Sequence, residues 1–402
     1  MHDLSARFEA LDLLIRDTAP FWDWSPFGAV DCPWASRAPG LYGRVQALSD
    51  AEVEHLMGDD DALLHWLAEA GLHEAAKLAE MVRVAVLADV HSPTQAETDP
   101  RAWAGVPGRK QAQIQAFLHT LPPRSGTVLE WCAGKGHLVR VVSRVTQRPG
   151  IGLELQPDLV VTGQALADAQ GVAVSMRQCD VLADEHRVAD ALGHARTALA
   201  LHACGELHRA LVRRAIGAGV PELILAPCCY HLHGPDRYQP LSRAGEALNP
   251  GFRRDQLRHA VRQTQTAPPR VRRQQHALNV WRLAFDAWVR AHLGVSHYTA
   301  LPPRPLSVLG EGFERFCRWG ARHHSLPMPE VQDEAHWLEA GRRRYAWYQR
   351  MALVQAVVRR PLELWLVLDL ALALEGAGYE VTLGTFCPPD VSPRNLLIRA
   401  RR

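Results

Sequence analysis

The stretch VLEWCAGKGHL (128–138) decides how the rest of the chain is read. An apolar strand ends in Glu130, and a tight loop carrying Gly134 and Gly136 opens a segment of helical spacing, KGHLVRVVSRVTQ (135–147). Glycines in such a loop let the backbone approach a ligand closely, and the helix N-terminus favours polar or anionic groups. The same alternation continues downstream. TVLEW (127–131), GIGLEL (150–155), VAVSMRQ (172–178), TALALH (197–202) and ELILAP (222–227) read as strands, with helices at 135–147, 157–170, 184–194 and 206–219. Five strands alternating with four helices predict βαβ units and a parallel sheet covered by helices on both faces.

The alternation sets the domain boundaries. Residues 1–104 read as a mainly helical region and 105–232 as the first part of the α/β domain. Residues 233–361 lose the alternation and read as an arginine-rich helical insertion, broken by APP (267–269) and LPPRP (301–305). Residues 362–402 return to the sheet, with a helix at 361–378 and strands at YEVTLGTFC (379–387) and NLLIRA (395–400). HSPTQAETDP (91–100) reads as a connector, and the aromatic knot FWDWSPFGAVDCPW (21–34) as a small local core. The chain has no internal repeat.

Composition narrows the class. A chain of 402 residues with 47% hydrophobic content can fill more than one core. The longest apolar run, near 362–374, is interrupted by Glu363 and Asp369, which suits a buried helix and not a membrane span. The start, MHDLSARFEALDLL, lacks the basic and apolar regions of an export signal, so a cytoplasmic protein is expected. Eight cysteines with a single adjacent pair make no disulfide framework. The net charge of +2 conceals a gradient: residues 1–120 hold 9 basic against 18 acidic groups, residues 250–402 hold 23 against 13. All 23 basic groups of that last segment are arginines, a block whose guanidinium forks match phosphate oxygens. Only three lysines occur in the whole chain, so a general preference for arginine explains the same count.

The glycine loop discriminates between cofactors. A phosphate-binding GxxxxGK[ST] sequence is absent, and Val139 stands where a dinucleotide loop needs its third glycine. The acid before the loop, Glu130, sits poorly beside a pyrophosphate and suits a ligand with an ammonium group, such as S-adenosylmethionine. Glu154 ends the second of these strands, 20 residues after Gly134, where a carboxylate accepts hydrogen bonds from both ribose hydroxyls. Asp180, just past the third, is placed to take the adenine amino group. Cys132 in the loop and His202 at the end of the fourth strand complete the candidate cofactor set. S-adenosylmethionine is therefore the expected cofactor.

The set EWCAGKGHL, LHACGEL (201–207), APCCYH (226–231) and SPRNLLI (392–398) resembles the methyltransferase-like domain family of class I S-adenosylmethionine-dependent methyltransferases. More distantly it is similar to the tRNA acceptor-stem 2′-O-methyltransferase. The resemblance covers roughly residues 105–235 and 362–402. It implies a Rossmann-like α/β fold, a seven-stranded sheet with a reversed last strand, methyl transfer from S-adenosylmethionine, and cofactor roles for Glu130, Gly134, Gly136, Glu154 and Asp180. It does not reach the N-terminal region or the insertion.

APCCYH follows one strand and HACGEL its neighbour, both at the sheet edge where open α/β sheets bind ligands. Three readings of the thiols compete. Adjacent cysteines rarely share one tetrahedral ion and no CxxC pair is present, so no metal is assigned. Cys204 and Cys228 fall where pyrimidine carbon-5 methyltransferases carry nucleophilic thiols, but the familiar local sequences are missing. The third reading makes the thiols packed pocket wall, with Pro227 fixing the turn and Tyr230 and His231 facing the substrate. Candidate catalytic groups are His202, Glu206, Cys228, Tyr230 and His231.

RNA is the expected substrate, from the distant tRNA-modifying relative and from stretches such as RRRYAWYQR (342–350), where arginines and aromatics at helical spacing can grip phosphates and stack on bases. A protein or small-molecule acceptor is the alternative, and a non-catalytic binding protein the third. No membrane partner is expected.

Overall fold

The structure is a computed structural model that describes residues 3–87, 100–123, 125–262, 268–327 and 333–402. Of the expected connector, only Pro100 falls within the described residues.

Strands buried at every position need cover on both faces. Three strands are of that kind: β2 (Val128–Trp131), β3 (Gly150–Glu154) and β6 (Glu222–Cys228). They belong to one sheet with β1 (Ala85–Val86), β4 (Val174–Gln178), β5 (Thr197–Cys204), β7 (Glu380–Thr385) and β8 (Leu396–Arg401). The spatial order is β1-β7-β8-β6-β5-β2-β3-β4. Strand β8 runs antiparallel to β6 and β7, and every other pair is parallel. This is a Rossmann-like α/β fold with a mixed sheet, and the reversed strand is the last one. The seven expected strands all form. An eighth, β1, extends the edge beside β7; at two residues it is too short to carry a periodic signal.

The connections step outward from β2 through β3 to β4, then return to place β5 on the other side of β2. That reversal makes a switch point at the carboxyl ends of β2 and β5, where open α/β sheets place their ligands. The helices His137–Thr146, Pro157–Gln170, Glu185–Gly193 and Glu206–Ala218 are the expected crossovers. Val128, Leu199, Ile224 and Leu397, from four neighbouring strands, bury one core with Phe117, Leu138 and Val142. Ala133, Val139, Ala167, Val174 and Met176 form a second cluster.

The chain divides into two compact units. The sheet unit comprises residues 1–13, 81–261 and 361–402. It includes residues 233–261, which the sequence reading gives to the insertion. A buried carboxylate contributes to the difference. Asp369, on the helix Arg359–Gly376, accepts hydrogen bonds from the Tyr238 hydroxyl (2.9 Å), the Leu241 N–H (2.8 Å), and the Ser242 N–H (2.9 Å) and hydroxyl (2.7 Å). The acid that interrupts the apolar run at 362–374 thus ties the segment after β6 into this unit.

The second unit joins residues 14–80 to 262–360, two stretches the sequence reading keeps apart. Arg350 pairs with Asp50 (3.0 Å), Arg359 with Asp60 (2.6 Å) and Arg272 with Glu54 (3.1 Å). The fully buried Asp286 holds both Arg290 (2.7 Å) and Arg344 (2.6 Å). Three acids of the first stretch are therefore paired with arginines of the second. The aromatic knot also packs within it: Phe27 meets the rings of Tyr298 and Tyr348 edge-on, and Trp24 meets Trp347. Among the described residues, no helix is long and apolar enough to cross a membrane.

Candidate functional site

The sequence-derived cofactor residues stand at the carboxyl ends of β2, β3, β4 and β5. Glu154 ends β3, and its carboxylate receives the Gly134 N–H at 2.8 Å and the Gln156 N–H at 2.9 Å. Two of its roughly four lone-pair positions are thereby used within the protein, leaving acceptor capacity for two hydroxyl donors. Gly134 has φ +57° and nothing within 4 Å of where a Cβ would stand, so the loop backbone lies open to close approach. Gly136 also has a positive φ, and its N-cap position starts the helix His137–Thr146.

Glu130 plays a double part. It is buried, and one carboxylate oxygen accepts the Val139 N–H at 2.8 Å, satisfying a donor in the first turn of that helix. Burial pushes its pKa up to about 7, against the opposing influence of Lys110 and Arg140. Asp180 is half-buried and shapes the turn after β4, accepting the Leu182 N–H at 2.9 Å. A cavity of about 300 Å³ lies beside it in the chain, lined by Leu153, Gln178, Cys179, His186, Arg187 and Asp190 among others.

Three non-glycine residues at these strand ends hold left-handed backbone: Cys132 (φ +58°), His202 (φ +65°) and Cys229 (φ +49°). Such conformations each cost about 1–3 kcal/mol and concentrate at functional sites. His202 lies where the β5–β6 register shifts, between Leu201 and Cys204, and such irregularities re-aim side chains. Its Nε2 meets Gln113 Oε1 at 3.2 Å, and burial lowers its pKa, assisted by Lys110. His202 is therefore a neutral imidazole near neutral pH, the form able to take a proton. Burial pushes the Cys132 thiol up to about 12, helped by Glu154 and Glu130, so it stays protonated and packs.

The loops after β5 and β6 are tied together. Gly205 N–H donates to Cys228 O (3.0 Å) and Glu206 N–H to Leu232 O (2.8 Å). A Cβ on Gly205 would stand 2.0 Å from Leu232 O, so only glycine fits. Glu206 faces two arginines: Arg209 at 3.2 Å, and Arg213 in closer contact. Burial would raise its pKa, but the two guanidinium groups outweigh it and hold the carboxyl below its ordinary range. That makes Glu206 an unsuitable general base.

Tyr230, expected to face the substrate, is turned into the protein. Its side chain is buried, with the hydroxyl on Pro227 O (3.1 Å) and Glu363 Oε1 (3.4 Å) and its ring edge-on to His208. An apolar ring whose hydroxyl finds two internal acceptors is more stable inside. His231 is half-buried, and its Nδ1 is buried without a hydrogen-bond partner. Cys228 is buried; its Sγ lies 3.5 Å from Cys204 Sγ, and both come within 4.8 Å of Cys229 Sγ. Hydrogen bonds from Cys204 and Cys228 hold the Cys229 thiol well below its usual value, and the same contacts push Cys228 up.

Residues 109–233 match the family model of a methyltransferase domain. The match spans the glycine loop, β2 to β6 and the APCCYH loop, less than half of the chain; that segment is similar to a methyltransferase domain. No curated protein matches the chain. Among solved structures, the chain is similar to an RNA methyltransferase from Salinibacter ruber in complex with S-adenosyl-L-homocysteine (18% identity, 37% of this chain, 83% of that one, TM-score 0.23). It is also similar to an O-methyltransferase family protein from Burkholderia thailandensis (11% identity, 85% and 71% coverage, TM-score 0.29) and to YjhP from E. coli (13% identity, 64% and 95% coverage, TM-score 0.24). At TM-scores this low the likenesses carry no weight for substrate or activity.

Two residues near the site escape the sequence reading. Lys110 and Gln113, on the helix Gly108–Leu118, reach the site: Gln113 touches His202, and the charge of Lys110 acts on Glu130, His137 and His202. Their helix precedes the first strand of the alternation, so neither spacing nor motif marks them. The domain bounds expected from residue 105 and the family match from residue 109 both take in that helix, but neither singles out these two residues.

Proposed function

We propose that the sheet unit binds S-adenosylmethionine and transfers its methyl group to a nucleophile. The observation that carries this reading is the pairing of Glu154 with the Gly134 N–H, which holds a ribose-binding carboxylate against an open glycine loop. In the proposed complex Glu154 takes the ribose hydroxyls and the loop backbone lies along the cofactor. Asp180 serves the adenine and Glu130 the ammonium end. When bound, the cofactor would supply an electrophilic methyl group for the acceptor's lone pair. The protein's part is alignment. Where the acceptor must lose a proton, His202 is the base, because it is uncharged and at the switch point. Titrating the full chain with S-adenosylmethionine in a calorimeter tests the reading; saturable binding that is lost in Glu154→Ala is the expected result.

The acceptor class we assign is RNA. Arg270, Arg273, Arg322 and Arg343 are exposed on the second unit, where phosphate contacts would form. RRRYAWYQR contributes less than its sequence promises, since Arg344, Arg350, Trp347 and Tyr348 are engaged within that unit. That engagement favours the second reading, a protein or small-molecule acceptor. Incubation with methyl-tritiated cofactor and an extract from a strain lacking the protein separates the two. RNase-sensitive label supports RNA, and label sensitive only to protease overturns it.

A further inference from the structure

The thiols of Cys204, Cys228 and Cys229 have a capacity that methyl transfer does not use. In an extended strand successive side chains point to opposite faces, so two adjacent cysteines at the end of β6 should face apart. Cys229 breaks that rule: its left-handed backbone, φ +49°, turns the chain just as β6 ends. Cys204 arrives from the neighbouring strand β5, in register with Cys228, and the two Sγ atoms stand 3.5 Å apart. All three Sγ atoms fall within 4.8 Å of one another, and all three are free thiols. Thiolates about 2.3 Å from one tetrahedral ion stand about 3.8 Å from each other. The spacing present here brackets that value. The sequence objection to adjacent cysteines sharing an ion assumes an extended backbone, and the backbone here is not extended.

The cluster is also held in place. The Gly205 N–H bond to Cys228 O and the Glu206 N–H bond to Leu232 O lock the two cysteine-bearing loops together. Two residues beyond Cys229, the buried Nδ1 of His231 has no hydrogen-bond partner, an arrangement that leaves an imidazole nitrogen in want of a donor or a metal.

We propose that Cys204, Cys228 and Cys229 bind zinc at the carboxyl ends of β5 and β6, with His231, whose ring lies outside their 4.8 Å cluster, turning in as the fourth ligand. Three thiolates and one imidazole make a closed, tetrahedral set of the structural kind. Loading displaces the protons that the thiols still hold, so binding tightens as pH rises. The ion would pin the two loops that flank the methyl-transfer site. The assignment does not depend on the methyltransferase reading, and cofactor affinity measured on the same samples keeps the two apart.

The test titrates the reduced full chain with Co(II) and then Zn(II). The expected result is one Co(II) per chain, with a thiolate-to-cobalt band in the near ultraviolet that Zn(II) abolishes. Cys229→Ser should lose the band and weaken zinc binding by more than the roughly 10–100-fold that loss of an outer-shell partner costs. His231→Ala should keep a weaker band, and Cys32→Ser should bind as the unaltered chain does. If Cys229→Ser does not fold, alkylation of the unaltered chain followed by mass spectrometry decides: Zn(II) should protect Cys204, Cys228 and Cys229 and no other cysteine. Absence of the band, its persistence in Cys229→Ser, or equal alkylation with and without Zn(II) overturns the proposal.

Discussion

The carboxylate of Glu154, at the end of β3, accepts the backbone N–H of Gly134 at 2.8 Å, across the gap between two neighbouring strands. One residue therefore both shapes the glycine loop and presents the acceptor proposed for the ribose. Glu154→Gln keeps the size, but one of the two oxygens that accept the Gly134 and Gln156 N–H groups becomes an NH2, which can accept neither a backbone donor nor a ribose hydroxyl. Hydrogen bonds to charged groups contribute about 1.5–3 kcal/mol, so affinity for S-adenosylmethionine should fall by roughly tenfold or more. Calorimetric titration reads the change; an unaltered Kd would remove Glu154 from the cofactor site.

Gly134 and Gly205 share a left-handed backbone but not a neighbourhood. A Cβ on Gly134 meets nothing within 4 Å, whereas one on Gly205 stands 2.0 Å from a carbonyl oxygen. Gly134→Ala should cost about 1–2 kcal/mol, the strain of the left-handed conformation alone. Gly205→Ala should cost distinctly more, because Leu232 must move and the bonds between the two loops break. Urea unfolding of both variants gives the comparison, and equal midpoints would contradict it.

Asp369 satisfies four donors from residues 238–242 while fully buried. Asp369→Ala leaves all four without that acceptor, and the loss should exceed about 3 kcal/mol. Limited proteolysis should then cut first between residues 233 and 261, which this carboxylate ties down. A variant that resists proteolysis as the parent does would show that other contacts hold the segment.

Burial raises the Glu130 pKa to about 7. The folded protein then holds a proton that the unfolded chain, with an ordinary glutamate value, has released. Stability from this group is complete below about pH 4.3 and is lost as pH rises through about 7, a change on the order of a few kcal/mol. His137 and His208 act in the opposite sense: burial lowers both to about 4, so their contribution is lost as pH falls. The comparison that isolates Glu130 is with Glu130→Gln, which keeps an oxygen for the Val139 N–H. Between pH 5 and 8 the variant's unfolding free energy should decline less than the parent's. Parallel curves would mean that the carboxylate stays ionised.

Period and punctuation made the sheet legible. Fully buried strands such as ELILAP and glycine-opened helices such as KGHLVRVVSRVTQ leave local signals, and each strand end falls within two residues of its expected place. The residues expected for the cofactor do fall at or beside strand ends, because strand ends can be counted. What the sequence alone determined, then, is the α/β order, the glycine loop and the acids that follow each strand. The tertiary structure decided the rest. It buried Tyr230, set Glu206 between two arginines, brought Lys110 and Gln113 to the switch point, and turned Cys229 toward Cys204 and Cys228. It also joined the acids of residues 14–80 to the arginines of 262–360, a pairing that charge counts reveal only as an imbalance. These outcomes depend on contacts between residues far apart in the chain and on single backbone angles. Local propensity encodes neither, because the energy that selects them exists only once the elements have packed.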